Sequence, residues 1–368
     1  MKASWRWLVC AALVALLLAM PFVVRIAPVP GAAEPSAGTL LERMRSSWSL
    51  SYAGYAETTG ALALPTADQL DSVSNLLSSR TQMRVWWRSA DDWRADTLSP
   101  SGESSTRTSG PVVSVWNFED NRVVRTPSAA PGTVRMPQDS DTLPPQLAAR
   151  MLGDATPKEV APLPPRRVAG RAADGLRLKP ADPLTSVGRV DVWADRASGV
   201  PLLVEVYGRT GSTAAMSSTF LDFSDAMPTP EDTRLTPPPG ARVRTRQRFD
   251  LVREIGRTAG PRPPARLLGF SRAAPAAPGL DGIGQYGRGV TQMVVGALPD
   301  EDARSLREQL ALAAGATTIP QGIVVSVGPV SVLLTSGQGG SPSWLVSGTV
   351  TLDGLVGAAA ELPTAGAS

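Results

Sequence analysis

From residue 80 the chain alternates apolar and polar positions. In Thr81-Gln82-Met83-Arg84-Val85-Trp86-Trp87-Arg88, Met83, Val85 and Trp87 share one parity, and Gln82, Arg84, Trp86 and Arg88 share the other. A period of two places the two sets on opposite faces of a strand. Similar stretches recur at 93–98, 106–108, 112–117, 122–125, 166–171, 176–179, 189–194, 201–207 and 216–223. Turn residues stand between them, as in Ser89-Ala90-Asp91-Asp92, Glu119-Asp120-Asn121 and Asp195-Arg196-Ala197-Ser198-Gly199-Val200-Pro201. In the last of these, Asp favours the turn start, Gly supplies positive φ and Pro returns the chain to extended form. The pattern predicts a large, twisted antiparallel sheet or partial barrel over 80–224.

Helical spacing is rarer. Leu40, Leu41, Met44 and Trp48 predict an amphipathic helix over 38–48. Residues 50–64 turn to alternation and read as a strand running into a second, and 66–78 read as a loop or short helix. A Pro-rich loop follows at 127–137. Pro144 or Pro145 suits the first turn of a helix that Gly153 ends. Residues 225–262 are rich in Pro, Thr and Arg and include Pro237-Pro238-Pro239-Gly240, the composition of a semi-rigid linker. Within it, 247–255 has enough apolar character to pack on something. Beyond it a smaller α+β unit is predicted, with strands at 289–295, 322–327, 330–335 and 344–349. Its first helix, 299–315, opens with Asp300, Glu301 and Asp302, which suit the positive helix end. Its last, 352–362, takes Thr351 as cap. The expected layout is an N-terminal segment and linker (1–37), a half-barrel domain (38–226), a linker (227–262), a small domain (263–362) and a tail (363–368).

The N-terminus sets the compartment. Lys2 and Arg6 precede residues 7–24, a stretch of about 18 residues without charge, long enough to span a bilayer core. Positive charge before the span keeps the N-terminus in the cytoplasm and sends the rest across. Two readings stay open: an uncleaved single-span membrane anchor, or a signal peptide cut near Ala33 in Gly31-Ala32-Ala33. Both make the body extracytoplasmic.

Composition narrows the chemistry. The 368 residues suffice for two domains, and 42% of them are hydrophobic. Net charge is +3, carried almost wholly by Arg, since Lys occurs only at Lys2, Lys158 and Lys179. The charges are mixed along the chain with no long basic run, which argues against a nucleic-acid partner. There is no His. That removes Ser–His–Asp and Cys–His catalysis and the commonest zinc and haem ligands. The only Cys, Cys10, lies in the apolar N-terminal run, so the body has no disulfide.

Three constellations remain. Gly282-Ile283-Gly284-Gln285-Tyr286-Gly287 matches the dinucleotide-binding glycine pattern, but a Pro/Ala loop precedes it and a strand follows, so it reads as a flexible turn. Asp91, Asp92, Asp96, Glu103, Asp191, Glu205 and Asp222 offer carboxylates of the kind glycosidases pair. Asp91 and Asp92 fall in a turn and Asp191 on a polar strand face, so no catalytic role is assigned. No ligand cluster suggests a metal, and no cofactor is expected. Met83, Val85, Trp87, Val192, Leu203 and Phe220, with Tyr207, are candidates for lining an apolar cavity, since a curved sheet closing on short helices often leaves an interior. Ordinary core is the plainer reading for any one of them.

The order helix, strands, loop, meander, short helix, strands over 38–224 resembles the LolA/LolB-like lipoprotein-carrier superfamily. Its most specific match is Val190-Asp191-Val192-Trp193-Ala194-Asp195 through Gly199-Val200-Pro201-Leu202-Leu203. With a second domain closing on Ser343-Trp344-Leu345-Val346-Ser347-Gly348-Thr349-Val350-Thr351-Leu352, the whole chain is similar to two-domain sigma-E regulatory proteins of the RseB/MucB type. The resemblance implies an α+β fold, with a half-open antiparallel barrel capped by helices and then a smaller α+β domain. It also implies a non-enzymatic envelope protein that binds a lipid or acyl-chain amphiphile and regulates an anti-sigma factor through its ectodomain. The alternative it leaves is a lipid or lipoprotein carrier.

Overall fold

A computed structural model describes residues 35–60, 80–99, 102–128, 139–237, 239–245, 261–273, 282–313, 315–337 and 342–363. The N-terminal charge-free stretch, the loop or helix expected at 66–78, most of the Pro-rich loop and residues 247–255 lie outside them. Among the described residues no helix is long and apolar enough to cross a membrane.

The chain enters through helix α1 (Ala37–Ser46), capped by Ser36, whose hydroxyl accepts from the Thr39 N–H. A 3-10 turn (Ser47–Ser49) leads to β1 (Tyr52–Gly60). A meander follows: β2 (Arg80–Ser89), β3 (Asp92–Ser99), β4 (Gly102–Ser109), β5 (Val112–Asn117) and β6 (Arg122–Pro127). Helix α2 (Pro144–Leu152) starts on paired prolines, which lack only an N–H that the first turn leaves unused. Then come β7 (Val160–Val168), β8 (Arg171–Leu178), β9 (Val187–Asp195), β10 (Pro201–Gly208) and β11 (Met216–Ser224). With β12 (Arg242–Thr245) they form one 12-stranded sheet in the order β12-β6-β5-β4-β3-β2-β1-β11-β10-β9-β8-β7. β1 sits in the middle and joins the two meanders. The end strands do not pair with each other, so the barrel is open.

Helices α1 and α2 pack on one face of this sheet. Leu40, Leu41, Met44, Leu147 and Leu152 join Leu176, Val190, Val192, Val204 and Met216 in a single buried cluster. A second cluster lies further along toward β1–β3 and is aromatic. Tyr52 stacks on Trp87 at 5.8 Å, Trp87 on Trp93 at 5.4 Å, and Phe220 packs edge-on to Tyr52.

The second domain contains β13 (Arg266–Leu267), β14 (Phe270–Ser271), β15 (Ile283–Arg288), β16 (Thr291–Leu298), helix α3 (Asp300–Ala311), β17 (Ala316–Ile319), β18 (Gly322–Val327), β19 (Val330–Thr335), β20 (Ser343–Gly348) and helix α4 (Leu352–Glu361). β15–β20 form a six-stranded sheet in the order β15-β16-β20-β19-β18-β17. Thr351 caps α4, its hydroxyl accepting from the Gly354 N–H.

Four local expectations need correction. The strand expected at 166–171 contains a turn: Ala169 and Gly170 both have positive φ, and β7 and β8 are a hairpin around them. β7 extends back to Val160 despite Pro162, Pro164 and Pro165, because it is an edge strand whose outer side needs no N–H donors. The glycine pattern at 282–287 is part of strand β15, with the hairpin turn after it at Gly289. The segment after 224 lies against the first domain: Thr233 is buried and donates to Asp92 at 2.8 Å, and β12 pairs in parallel with β6.

Candidate functional site

The six expected cavity residues are all buried, none more than 7% exposed. Pairing register decides which of them face the same way. Met83 and Phe220 both oppose Ala56, and Val85 opposes Gly54. Val192 opposes Val204, which opposes Ser218, then Thr58, then Thr81. Met83, Val85, Trp87, Phe220 and Val192 therefore share the helix-covered face. Leu203 neighbours Val204 in sequence and pairs with Trp193, so it stands on the opposite face, and Tyr207 follows it there. Met83, Val85, Trp87 and Phe220 pack with Tyr52, Trp93, Phe223 and Leu203 in the aromatic cluster, whereas Val192 packs with the helices in the other. Alternation along β1 and β3 placed Tyr52 and Trp93 within reach of sequence reasoning. Phe223 was hidden by a bulge, since Asp222 rather than Leu221 opposes Tyr55.

The opposite face around β8–β10 is ionic. Arg177 holds Asp191 with two bonds of 2.6 Å, and Arg189 approaches the same carboxylate at 3.5 Å. Arg166 lies 3.5 Å over the Trp193 ring and 3.4 Å from Glu205. Burial depresses the basicity of Arg166, with Glu205 working against it. Tyr207 donates to Glu205 at 3.0 Å, and burial together with that carboxylate raises its phenol above the usual range. Elsewhere Arg94 grips Asp96 with two bonds of 2.8 Å, and Arg88 holds Asp92 at 2.9 Å. Four of the expected carboxylates, Asp92, Asp96, Asp191 and Glu205, are thus committed to arginines. Among the described residues no cluster of three metal-ligating side chains exists.

The turn Asp195–Pro201 is built as expected. Asp195 accepts from the Ser198 N–H and hydroxyl, and Gly199 has φ of 79°. Arg171 adds two bonds to Asp195 at 2.9 and 3.0 Å. Burial alone would raise the Asp195 carboxyl, but Arg171 and Ser198 outweigh it and hold the group below its ordinary range.

A cavity of about 340 Å³ opens where the two domains meet. The first domain contributes Met151, Ala155 and Leu178, and the second contributes Phe270, Arg288 and Val290. Ala155, Leu178 and Val290 belong to the same buried cluster as α1 and α2, so a residue of the second domain completes the core of the first. Asp154, Glu159 and Asp182 stand at the polar side. Asp154 accepts from the Gly289 N–H at 2.8 Å, and its carbonyl from Arg288 at 3.1 Å. Glu159 accepts from Thr156 and from the Ala181 N–H. Burial would raise its pKa, yet these bonds prevail and keep it ionised. Beside the cavity the Thr351 N–H donates to the Leu184 carbonyl at 2.8 Å, the Ser186 N–H to the Thr349 carbonyl at 3.1 Å, and the Ser186 hydroxyl to the Pro329 carbonyl. An apolar floor under a rim of carboxylates and Arg288 suits a molecule with both an apolar part and a polar head. No sequence signal pointed here, because the lining comes from separate elements of both domains.

No protein-family model matches the chain, and no curated protein matches its sequence. Among solved structures, the chain is similar to a chain of the MucA/MucB complex of Pseudomonas aeruginosa, with TM-score 0.49 and 16% identity over 88% of this chain and 96% of that one. It is similar to MucB solved alone, with TM-score 0.44 and 16% identity over 89% and 98%. It is also similar to a LolA superfamily protein from Nitrosomonas europaea, with TM-score 0.23 and 13% identity over 52% and 92%.

Proposed function

We propose that this chain is a non-enzymatic, extracytoplasmic binding protein that takes an amphiphile at the seam between its domains and reports it to a protein partner by a change in how the domains dock. The observation that carries this reading is the cavity at the seam, whose floor is continuous with the core of the half-barrel. A ligand's apolar part would bury there at roughly 0.8 kcal/mol per methylene. The polar head would meet Asp154, Glu159, Asp182 and Arg288. Because Asp154 and Arg288 also hold the domains together, occupancy competes with docking. Met83, Val85, Trp87, Phe220 and Val192 extend the apolar surface that a longer acyl chain would reach once α1 and α2 shift. The class of partner, an anti-sigma factor ectodomain, comes from the sequence resemblance.

Two linked experiments test this. Spin labels at Lys158→Cys and Glu308→Cys, in a Cys10→Ser background, report the distance between the domains. The distribution is expected to change when an extract of envelope lipids is added, and an unchanged distribution contradicts the coupling. A pull-down with an anti-sigma ectodomain is expected to recover the protein and to weaken with the same extract. Lipid-sensitive distances without any such partner would favour the carrier reading.

A further inference from the structure

A second cavity, of about 470 Å³, lies on the solvent side of the sheet, away from the seam. Two rows of residues cross three adjacent strands there. Ser224, Ala53 and Trp86 oppose one another in the first row, and Asp222, Tyr55 and Arg84 in the second. Ala53 and Ser224 are small and form the floor. Trp86 and Tyr55 are the aromatic walls, both half-buried.

The walls are held and the charges are not. Tyr55 donates to Gln82 at 2.8 Å, Gln82 donates to Glu57 at 3.0 Å, and Arg80 pairs with the same Glu57 oxygen. Trp86 lies under the Arg94 guanidinium, 5.3 Å from its ring centre, and Arg94 is itself fixed by Asp96. By contrast, Arg84 and Asp222 are exposed, and among the described residues neither has a hydrogen-bond or ion-pair partner. They sit two strands apart, roughly 10 Å between backbones, with Tyr55 between them. The bulge that sets Asp222 opposite Tyr55 is what aims this carboxylate into the row. Every other arginine of β2 and β3 is paired.

We infer that this groove is a binding site for a saccharide. A sugar ring presents C–H faces to aromatic walls and hydroxyls at its edge. A free planar carboxylate on one side and a free planar guanidinium on the other each bridge neighbouring hydroxyls. The shallow, open, charged groove does not suit an acyl chain, which gains only from burial. Fixed walls mean that little side-chain entropy is lost on binding. The site is independent of the seam and stands whether or not the seam takes an amphiphile.

The test is saturation-transfer NMR with full-length protein and a panel of soluble oligosaccharides covering neutral, amino and uronic sugars. At least one class is expected to bind, and Arg84→Ala or Asp222→Ala is expected to weaken it about tenfold or more. Both residues are exposed, so the variants keep the fold. Trp86→Phe should retain part of the affinity, with loss of its own fluorescence response. No saturation transfer from any of the panel overturns the proposal, as does binding that both alanine variants leave unchanged.

Discussion

Asp195 shows how one side chain sets a local structure. It starts the turn into β10, caps it through Ser198 and binds Arg171. Its folded-state pKa is depressed, so its contribution to stability is present above the unfolded value, about 3.9, and is lost as pH falls through the lower folded value. Asp195→Asn is expected to cost about 3 kcal/mol near neutral pH, because Arg171 loses its main partner. In urea unfolding, the gap between the variant and the parent should narrow at about pH 3. A gap independent of pH would contradict the assignment. Gly199 in the same turn has positive φ, and a Cβ there would lie 2.9 Å from the Arg43 carbonyl. Gly199→Ala is expected to lower stability by about 1–3 kcal/mol, measured by the same unfolding curves. These residues were legible in sequence because Asp, Ser, Gly and Pro carry turn chemistry within a few positions. The parity of Leu203 was not legible, since its face depends on register with β9 and β11, which a single strand's alternation does not contain, yet it is buried in the same cluster as Met83, Val85, Trp87 and Phe220.

Elements were legible where pattern and packing agree. β2 alternates and one of its faces is buried throughout, as its parity requires. α3 and α4 carry their signals at their N-termini, an acidic first turn in α3 and a capping threonine in α4. Thr351→Ala is expected to cost about 1 kcal/mol by removing the one side-chain cap of α4, seen as a lower thermal midpoint of the second domain. Element bounds were misread where polar or proline-rich sequence is supported by neighbours. β4 reads Gly-Glu-Ser-Ser-Thr-Arg-Thr-Ser yet runs its full length between β3 and β5, with Ser105 bonded to Asp96 at 2.5 Å. The β7–β8 turn lacks Asn or Asp, so Ala169-Gly170 passed for strand.

At the scale of the whole molecule, the large sheet and the smaller α+β unit were legible from the strand meander and from the return of helical spacing at 300, but the composition break after residue 224 does not part them, since β12 still pairs with β6. The seam does not follow from the sequence. It joins loops at 154, 182–186, 288–290 and 349–351, which only the tertiary fold brings together. Asp154→Ala removes the bond to the Gly289 N–H and is expected to loosen the docking, seen as a larger radius of gyration in solution scattering with each domain still folded. Native mass spectrometry of the full-length protein released from its own envelope reads directly whether the seam holds an amphiphile. Ala181 is exposed at the cavity rim, so Ala181→Trp fills the space without disturbing either core. A bound amphiphile is expected on the parent protein, with its loss from the Ala181→Trp variant. A bare mass for the parent, or the same adduct on both proteins, would contradict it.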